Sequence, residues 1–159
     1  MDITIPGRDP LQLQHVVLDV NGTVAAGGRL IDGVKEQLLA LLEAGWNVHW
    51  ITADTRGRQA DLDAQMGWPA VRISPESKEG EAEQKASFVR SLGSEKVVAI
   101  GNGSNDAAML RKATLGIAVL GPEGLSTDAL LAADAVAPSI HHALNLLLDP
   151  SRLVATLRR

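Results

Sequence analysis

His15-Val16-Val17-Leu18-Asp19-Val20-Asn21-Gly22-Thr23 is the stretch on which the reading of this chain turns. The apolar run Val16-Val17-Leu18 ends in a carboxylate, and a turn that glycine permits follows at once. An unbroken apolar run of strand length belongs in the middle of a parallel sheet covered on both faces. In open α/β sheets, ligands bind at the carboxyl ends of such strands. The same arrangement recurs downstream. Val97-Val98-Ala99-Ile100 leads into Gly101-Asn102-Gly103-Ser104-Asn105-Asp106, and then into the helical Ala107-Ala108-Met109-Leu110. If the two strands are neighbours, both turns face one pocket.

Working outward, strand-like and helix-like segments alternate. Ile3 to Ile5 reads as a short edge strand ahead of the central one, across the turn Gly7-Arg8-Asp9-Pro10. Gly27-Gly28 marks a small hairpin. Asp32 is placed to cap a helix carrying Val34, Leu38, Leu39, Leu41 and Leu42, which Gly45 ends. Val48, Trp50 and Ile51 form the next strand. Asp54 or Thr55 caps a helix running to about Met66, and Ala70 to Ile73 is a strand. Helices are expected over Glu81 to Leu92, Ser104 or Asn105 to Ala113, Ser126 to Ala133, His141 to Leu148 and Ser151 to Leu157. The remaining strands are Leu115 to Val119 and Ala135 to Ala137. This βαβα rhythm predicts an α/β fold with a doubly wound parallel sheet. The run Ala143-Leu144-Asn145-Leu146-Leu147-Leu148 is either core or an interface.

Composition narrows the function classes. The 159 residues are 45% apolar, 21% charged and only 3% aromatic, so the core is aliphatic. The length fits a single domain spanning residues 1–159. A net charge of −4 gives no general attraction to nucleic acid or to anionic membranes. The absence of cysteine excludes disulfides, thiolate nucleophiles and Cys-ligated zinc. No apolar run has bilayer length, and the start has no signal-peptide pattern. The expected location is the cytoplasm.

Four segments carry chemistry. They are Asp19 to Thr23, Thr52-Ala53-Asp54, Lys85, and Gly101 to Asp106. A carboxylate at a strand end can attack phosphorus and form an acyl phosphate, splitting one hard step into two. A phosphoryl group carries dispersed negative charge, so its transfer depends mainly on positioning and neutralisation. Lys85 is a point charge suited to a phosphate oxygen, with Lys78 as the rival cation. Thr52 offers a hydroxyl, and the N–H groups of Asn21, Gly22 and Ala53 can form an anion-binding nest. Magnesium takes hard oxygen ligands, which Asp19 and Asp106 could supply.

The order and context of these segments resemble the haloacid dehalogenase superfamily of phosphoryl-transfer enzymes. Within it, the likeness is to the phosphorylation domain of P-type ATPases and their small soluble relatives. Thr52-Ala53-Asp54 is similar to their Thr-Gly-Asp segment, Lys85 followed by Val89 to their Lys-x-x-x-Val, and Gly101 to Ala107 to their Gly-Asp-Gly-x-Asn-Asp-Ala. The resemblance covers about residues 13–137. It implies a Rossmann-like core with Asp19 as nucleophile. It also implies Thr52 and Lys85 holding the phosphate, and magnesium held by Asp19, the Asn21 carbonyl, Asn102 and Asp106, the last through water.

Two positions depart from that pattern. Phosphatases of this superfamily usually carry an acid–base Asp two residues after the nucleophile, where this chain has Asn21. The usual first Asp of the last motif is Asn102. The expected activity is therefore slow magnesium-dependent phosphohydrolysis through phospho-Asp19, the alternative being a phosphate- or partner-binding module without catalysis. The intervals between the motifs are too short for a cap domain. That leaves the pocket open to large phosphorylated substrates or covered by a second subunit of a homo-oligomer.

Overall fold

The computed structural model describes residues 1–54, 57–74 and 76–158. In chain order the elements are β1 (Asp2–Ile3), β2 (Leu11–Gln12), β3 (His15–Asp19), β4 (Ala25–Ala26), β5 (Arg29–Leu30), α1 (Val34–Glu43), β6 (Asn47–Thr52), α2 (Gln59–Met66), β7 (Val71–Arg72), α3 (Glu81–Ser91), β8 (Val97–Gly101), α4 (Ala107–Lys112), β9 (Leu115–Val119), α5 (Thr127–Ala132), β10 (Ala135–Ala137), α6 (Ile140–Leu148) and α7 (Pro150–Leu157). Short 3₁₀ turns cover Ser94–Lys96 and Ser104–Asp106.

Strand β3 is central because its apolar run Val16, Val17 and Leu18 points to both faces and must be covered on each. Leu18 is in register with Trp50 of β6 on one side and Ile100 of β8 on the other. The six-stranded sheet has the order β10-β9-β8-β3-β6-β7, and all its pairings are parallel. Side chains alternate along β3. Val16 and Leu18 join the larger cluster with Leu38, Leu41, Leu144 and Leu153, while Val17 joins Val89, Ala99, Met109 and Leu110 on the opposite face. The sheet is thus packed on both faces, as the expected α/β fold requires. The chain runs outward from β3 to β6 and β7, then returns to β8 on the other side of β3. The switch in winding direction between β3 and β8 opens a crevice at their carboxyl ends, where α/β sheets bind ligands.

Four local expectations shift. The first two strands pair with each other in a separate antiparallel ribbon, Asp2 opposite Gln12, and do not extend the main sheet. They cannot join beside β3, because β6 and β8 already occupy both its edges. Helix α1 begins after Gly33 (φ 80°), with no side-chain cap from Asp32. Of the two cap candidates for α2, Thr55 lies outside the described residues. The Asp54 carboxylate accepts from the Gln59 amide at 3.2 Å. Pro150 opens α7, and Asp149 caps it. Ala143, Leu144 and Leu147 of α6 pack into the core with Leu153 and Leu157 of α7, so this apolar run is core.

Between β3 and β6 lie only the β4–β5 hairpin and α1, and between β6 and α3 only α2 and β7. Among the described residues, the two intervals that separate the motifs therefore carry no cap. No described helix is long and apolar enough to cross a membrane.

At the amino ends of β3 and β6, His15 Nδ1 and His49 Nε2 lie 3.2 Å apart, and His49 meets Phe88 of α3 edge-on. Burial lowers both imidazole pKa values, helped by Lys96 at His15 and by His15 at His49. The folded state therefore binds fewer protons than the unfolded chain, whose imidazoles titrate near about 6.5. Their contribution is complete above that pH and is lost as pH falls through the folded values. Thermal midpoints measured from pH 7.5 to 5.5 should fall less steeply in His49→Gln than in the wild type. Equal slopes would contradict this.

Candidate active site

Among the described residues, Lys85 is the most buried cation. It sits on α3, inside the protein, with none of its surface exposed. Its ammonium lies 2.6 Å from Asp19 Oδ1 and 2.7 Å from Asp106 Oδ1. A third carboxylate, Glu81, stands 3.2 Å away, one helical turn earlier on α3. Each group arrives from a different place: Asp19 from the end of β3, Asp106 from the turn after β8, and Lys85 and Glu81 from the first turns of α3. The structure places Lys85 beside Asp19 and Asp106 and leaves the rival Lys78 exposed.

The turn after β8 is built around Asp106. Its Oδ2 accepts from the N–H groups of Asn102 at 3.0 Å and Gly103 at 2.9 Å, which leaves Oδ1 for Lys85. Residue 101 must be glycine, because a Cβ there would lie 2.6 Å from the Asp106 carboxyl carbon. After β3, Gly22 has φ 83°, a conformation that glycine adopts at little cost. A Cβ at this position would also meet the Asn102 amide at 2.7 Å.

The electrostatics follow from crowding. Burial, and then the negative charge of Asp106, push the Asp19 carboxyl up to about 7, although Lys85 and the Val20 amide oppose the shift. Burial alone would lower the pKa of Lys85, but Asp19 and Asp106 outweigh it and raise it, keeping the ammonium charged. The cluster is short of positive charge: one ammonium faces three carboxylates.

Thr52 ends β6 and is buried. Its Oγ1 accepts from the Asp54 amide at 3.0 Å, which leaves its own proton free to donate. Asp54 itself has φ 48°, a left-handed conformation unusual outside glycine. Ala53 and Glu81 line a cavity of about 370 Å³ that also touches Ile73, Ser74 and Gln84. Glu81 is the residue that this cavity shares with the cluster.

At three positions the geometry departs from the sequence expectation. The Gly22 N–H donates to the Ala25 carbonyl at 2.8 Å, so it is not part of a phosphate nest. That bridge uses Val20 C=O and Gly22 N–H and leaves the amide and carbonyl of Asn21 out of it. Asn102, expected at a metal, is turned away: its Oδ1 accepts from Thr23 Oγ1 at 3.1 Å, and its Nδ2 donates to the Gly124 carbonyl at 3.1 Å. Asp106, expected at a metal through water, has each oxygen hydrogen-bonded within the protein, Oδ2 to the turn amides and Oδ1 to Lys85. Glu81 escaped the sequence reading, although its i, i+4 spacing to Lys85 was the available signal.

Among the described residues, no three His, Cys, Asp or Glu side chains form a group that could hold a metal ion. The donor set still fits magnesium. Asp19 is a carboxylate in a cluster with surplus negative charge, and the Asn21 carbonyl stands two residues on. Magnesium commonly makes do with one or two carboxylates, water and substrate phosphate.

Residues 77–139 match the profile of haloacid dehalogenase-like hydrolases. An uncharacterized protein of Methanocaldococcus jannaschii is 49% identical over 63 residues, which is 40% of this chain and 68% of that protein. The phospholipid-transporting ATPase tat-1 of Caenorhabditis elegans is 35% identical over 102 residues, 64% of this chain but only 8% of the ATPase. This chain belongs to the haloacid dehalogenase superfamily. Within the superfamily it resembles the phosphorylation domain of the P-type ATPases. The fold of a Moraxella catarrhalis 3-deoxy-D-manno-octulosonate 8-phosphate phosphatase, solved with magnesium, phosphate and the sugar acid, matches at TM-score 0.63 and 17% identity. The match covers 92% of this chain and 94% of that one.

Removing the ammonium should unbalance this haloacid dehalogenase core most. Lys85→Met strands Asp19 and Asp106 in the interior, and breaking one side of a buried ion cluster costs about 3–5 kcal/mol. Asp19→Asn removes the surplus charge and should leave stability unchanged or higher at pH 8. Chemical denaturation checks both, and a loss in Asp19→Asn equal to that in Lys85→Met would refute the charge accounting.

Proposed function

We propose that the protein is a slow, magnesium-dependent phosphohydrolase that works through a phosphoaspartate on Asp19. The observation that carries this reading is the convergence of Asp19, Lys85 and Asp106 within hydrogen-bond distance of one ammonium. A phosphoryl group seated there would meet the Lys85 charge, the Thr52 hydroxyl and the backbone amides of Asn21 and Ala53.

The chemistry then proceeds in two displacements. An Asp19 carboxylate oxygen attacks phosphorus, a P–O bond forms, and the bond to the leaving group breaks with its electron pair departing on that group. Water next attacks the phosphorus of the acyl phosphate, and the bond to Asp19 breaks to restore the carboxylate. Magnesium, held by Asp19 and the Asn21 carbonyl, would supply neutralisation of the phosphoryl oxygens. Asn21 cannot donate or accept a proton in either step. General acid–base help is typically worth about 10²–10⁴-fold, which is why turnover is expected to be slow. The M. catarrhalis phosphatase supports a phosphate monoester as the substrate class.

One observation favours a second reading, a phosphate-binding module without turnover. The Asn102 amide does a structural job that a carboxylate could not do, because it donates to Gly124. The same assay separates the two readings. Pure protein with magnesium should hydrolyse p-nitrophenyl phosphate, lose that activity in Asp19→Ala and on chelation, and gain at least about tenfold in Asn21→Asp. Turnover unchanged in Asp19→Ala would eliminate the phosphoaspartate route. No turnover in any variant, with phosphate still bound, would favour the binding module.

A further inference from the structure

We infer that Glu81 is the general base for hydrolysis of phospho-Asp19, a role that Asn21 cannot fill. This rests on the phosphohydrolase reading above.

Three carboxylates line the cavity beside the cluster: Asp54, Glu79 and Glu81. Asp54 is committed to the helix that follows it, since its Oδ1 accepts from the Gln59 amide. Glu79 meets Ser87 at 3.4 Å and makes no ion pair with Lys85. Glu81 alone links cavity and cluster. Its Oε1 accepts from Asn105 Nδ2 at 2.6 Å and faces Lys85 Nζ at 3.2 Å. Its Oε2 has no hydrogen-bond or ion-pair partner among the described residues, and about a third of the side chain is exposed. One oxygen is therefore fixed by two donors, while the other is left without a partner among the described residues.

The placement suits a base better than a structural counter-ion. Lys85 already has two closer carboxylates, at 2.6 and 2.7 Å, and does not need a third for neutrality. Asn105 holds the Glu81 carboxylate from the turn that also carries Asp106, so its position is tied to the phosphate site. A base must lie within hydrogen-bond reach of the proton it takes. A water in the cavity, hydrogen-bonded to Oε2, lies next to the space that Lys85 reserves for the phosphoryl group. In the step itself, the water oxygen bonds to phosphorus as its proton passes to Glu81. The P–O bond to Asp19 breaks and its electron pair returns to the carboxylate. Glu81 then releases the proton to the departing phosphate or to solvent.

Pre-steady-state kinetics with p-nitrophenyl phosphate separate the two displacements. Nitrophenolate leaves without a proton, so phosphorylation of Asp19 should not depend on Glu81, whereas dephosphorylation should. In Glu81→Gln the initial burst of nitrophenolate should persist at the wild-type rate. The steady rate should fall by about 10²-fold, and the phosphoprotein should accumulate in intact-mass spectra. Glu81→Asp should recover part of the steady rate. Burst and steady phases slowed together would mean that Glu81 merely holds Lys85 in place, and would overturn the inference. So would two phases that are both unchanged. A wild-type protein that forms no phosphoprotein would sink the phosphohydrolase reading itself, and this inference with it, before any variant is measured.

Discussion

A buried ammonium cannot be left alone, and the site depends on how Lys85 is satisfied. Taking a charge out of water costs several kcal/mol unless partners in good geometry replace the lost hydration. Here the partners come from the end of β3, from the turn after β8 and from the helix that carries the lysine itself. Each of these segments is held by the sheet or by the two apolar layers against it. The core thus sets the geometry of the charges, and the charges fix the ends of the strands. The remaining imbalance, with more carboxylate than ammonium, is the electrostatic invitation to a divalent cation and a phosphoryl group.

Much of this was legible in the chain itself. The unbroken apolar runs of β3 and β8 could only be interior strands of a parallel sheet, and their Gly- and Asp-bearing turns marked the edge where a pocket would form. Lys85 was readable through the resemblance of Lys85 and Val89 to the Lys-x-x-x-Val segment of the P-type ATPases. Spacing along the chain could not show which donors and acceptors were already spent. Gly22 and Asn102 looked available until the hairpin bond to Ala25 and the ties to Thr23 and Gly124 were seen. Nor could spacing show that the turn takes one Asp106 oxygen and the lysine the other. Glu81 was missed for the opposite reason: an acidic residue in the first turn of a helix has an ordinary explanation in the helix dipole.

Stability and chemistry pull against each other in this pocket. Asp19 is buried beside another carboxylate, and its raised pKa records the strain of keeping it charged. Strain of this kind persists only where the surrounding structure over-determines it. The surroundings do so here, through the Asp106 turn bonds and the close approach at Gly101.

The tie made by Asn102 has a consequence for how this pocket can change over evolutionary time. Its amide clips the turn after β3 to the loop between β9 and α5, using a donor on one side and an acceptor on the other. An aspartate at this position would bring a formal charge toward the cation but would face the Gly124 carbonyl with oxygen instead of N–H. The loop would lose its clip in the same mutational step that enriched the metal site. Residue 102 is therefore coupled to the 121–126 loop: a more strongly charged site would leave that loop held by the Ser126 N–H bond to the residue 102 carbonyl, without the side-chain tie to Gly124.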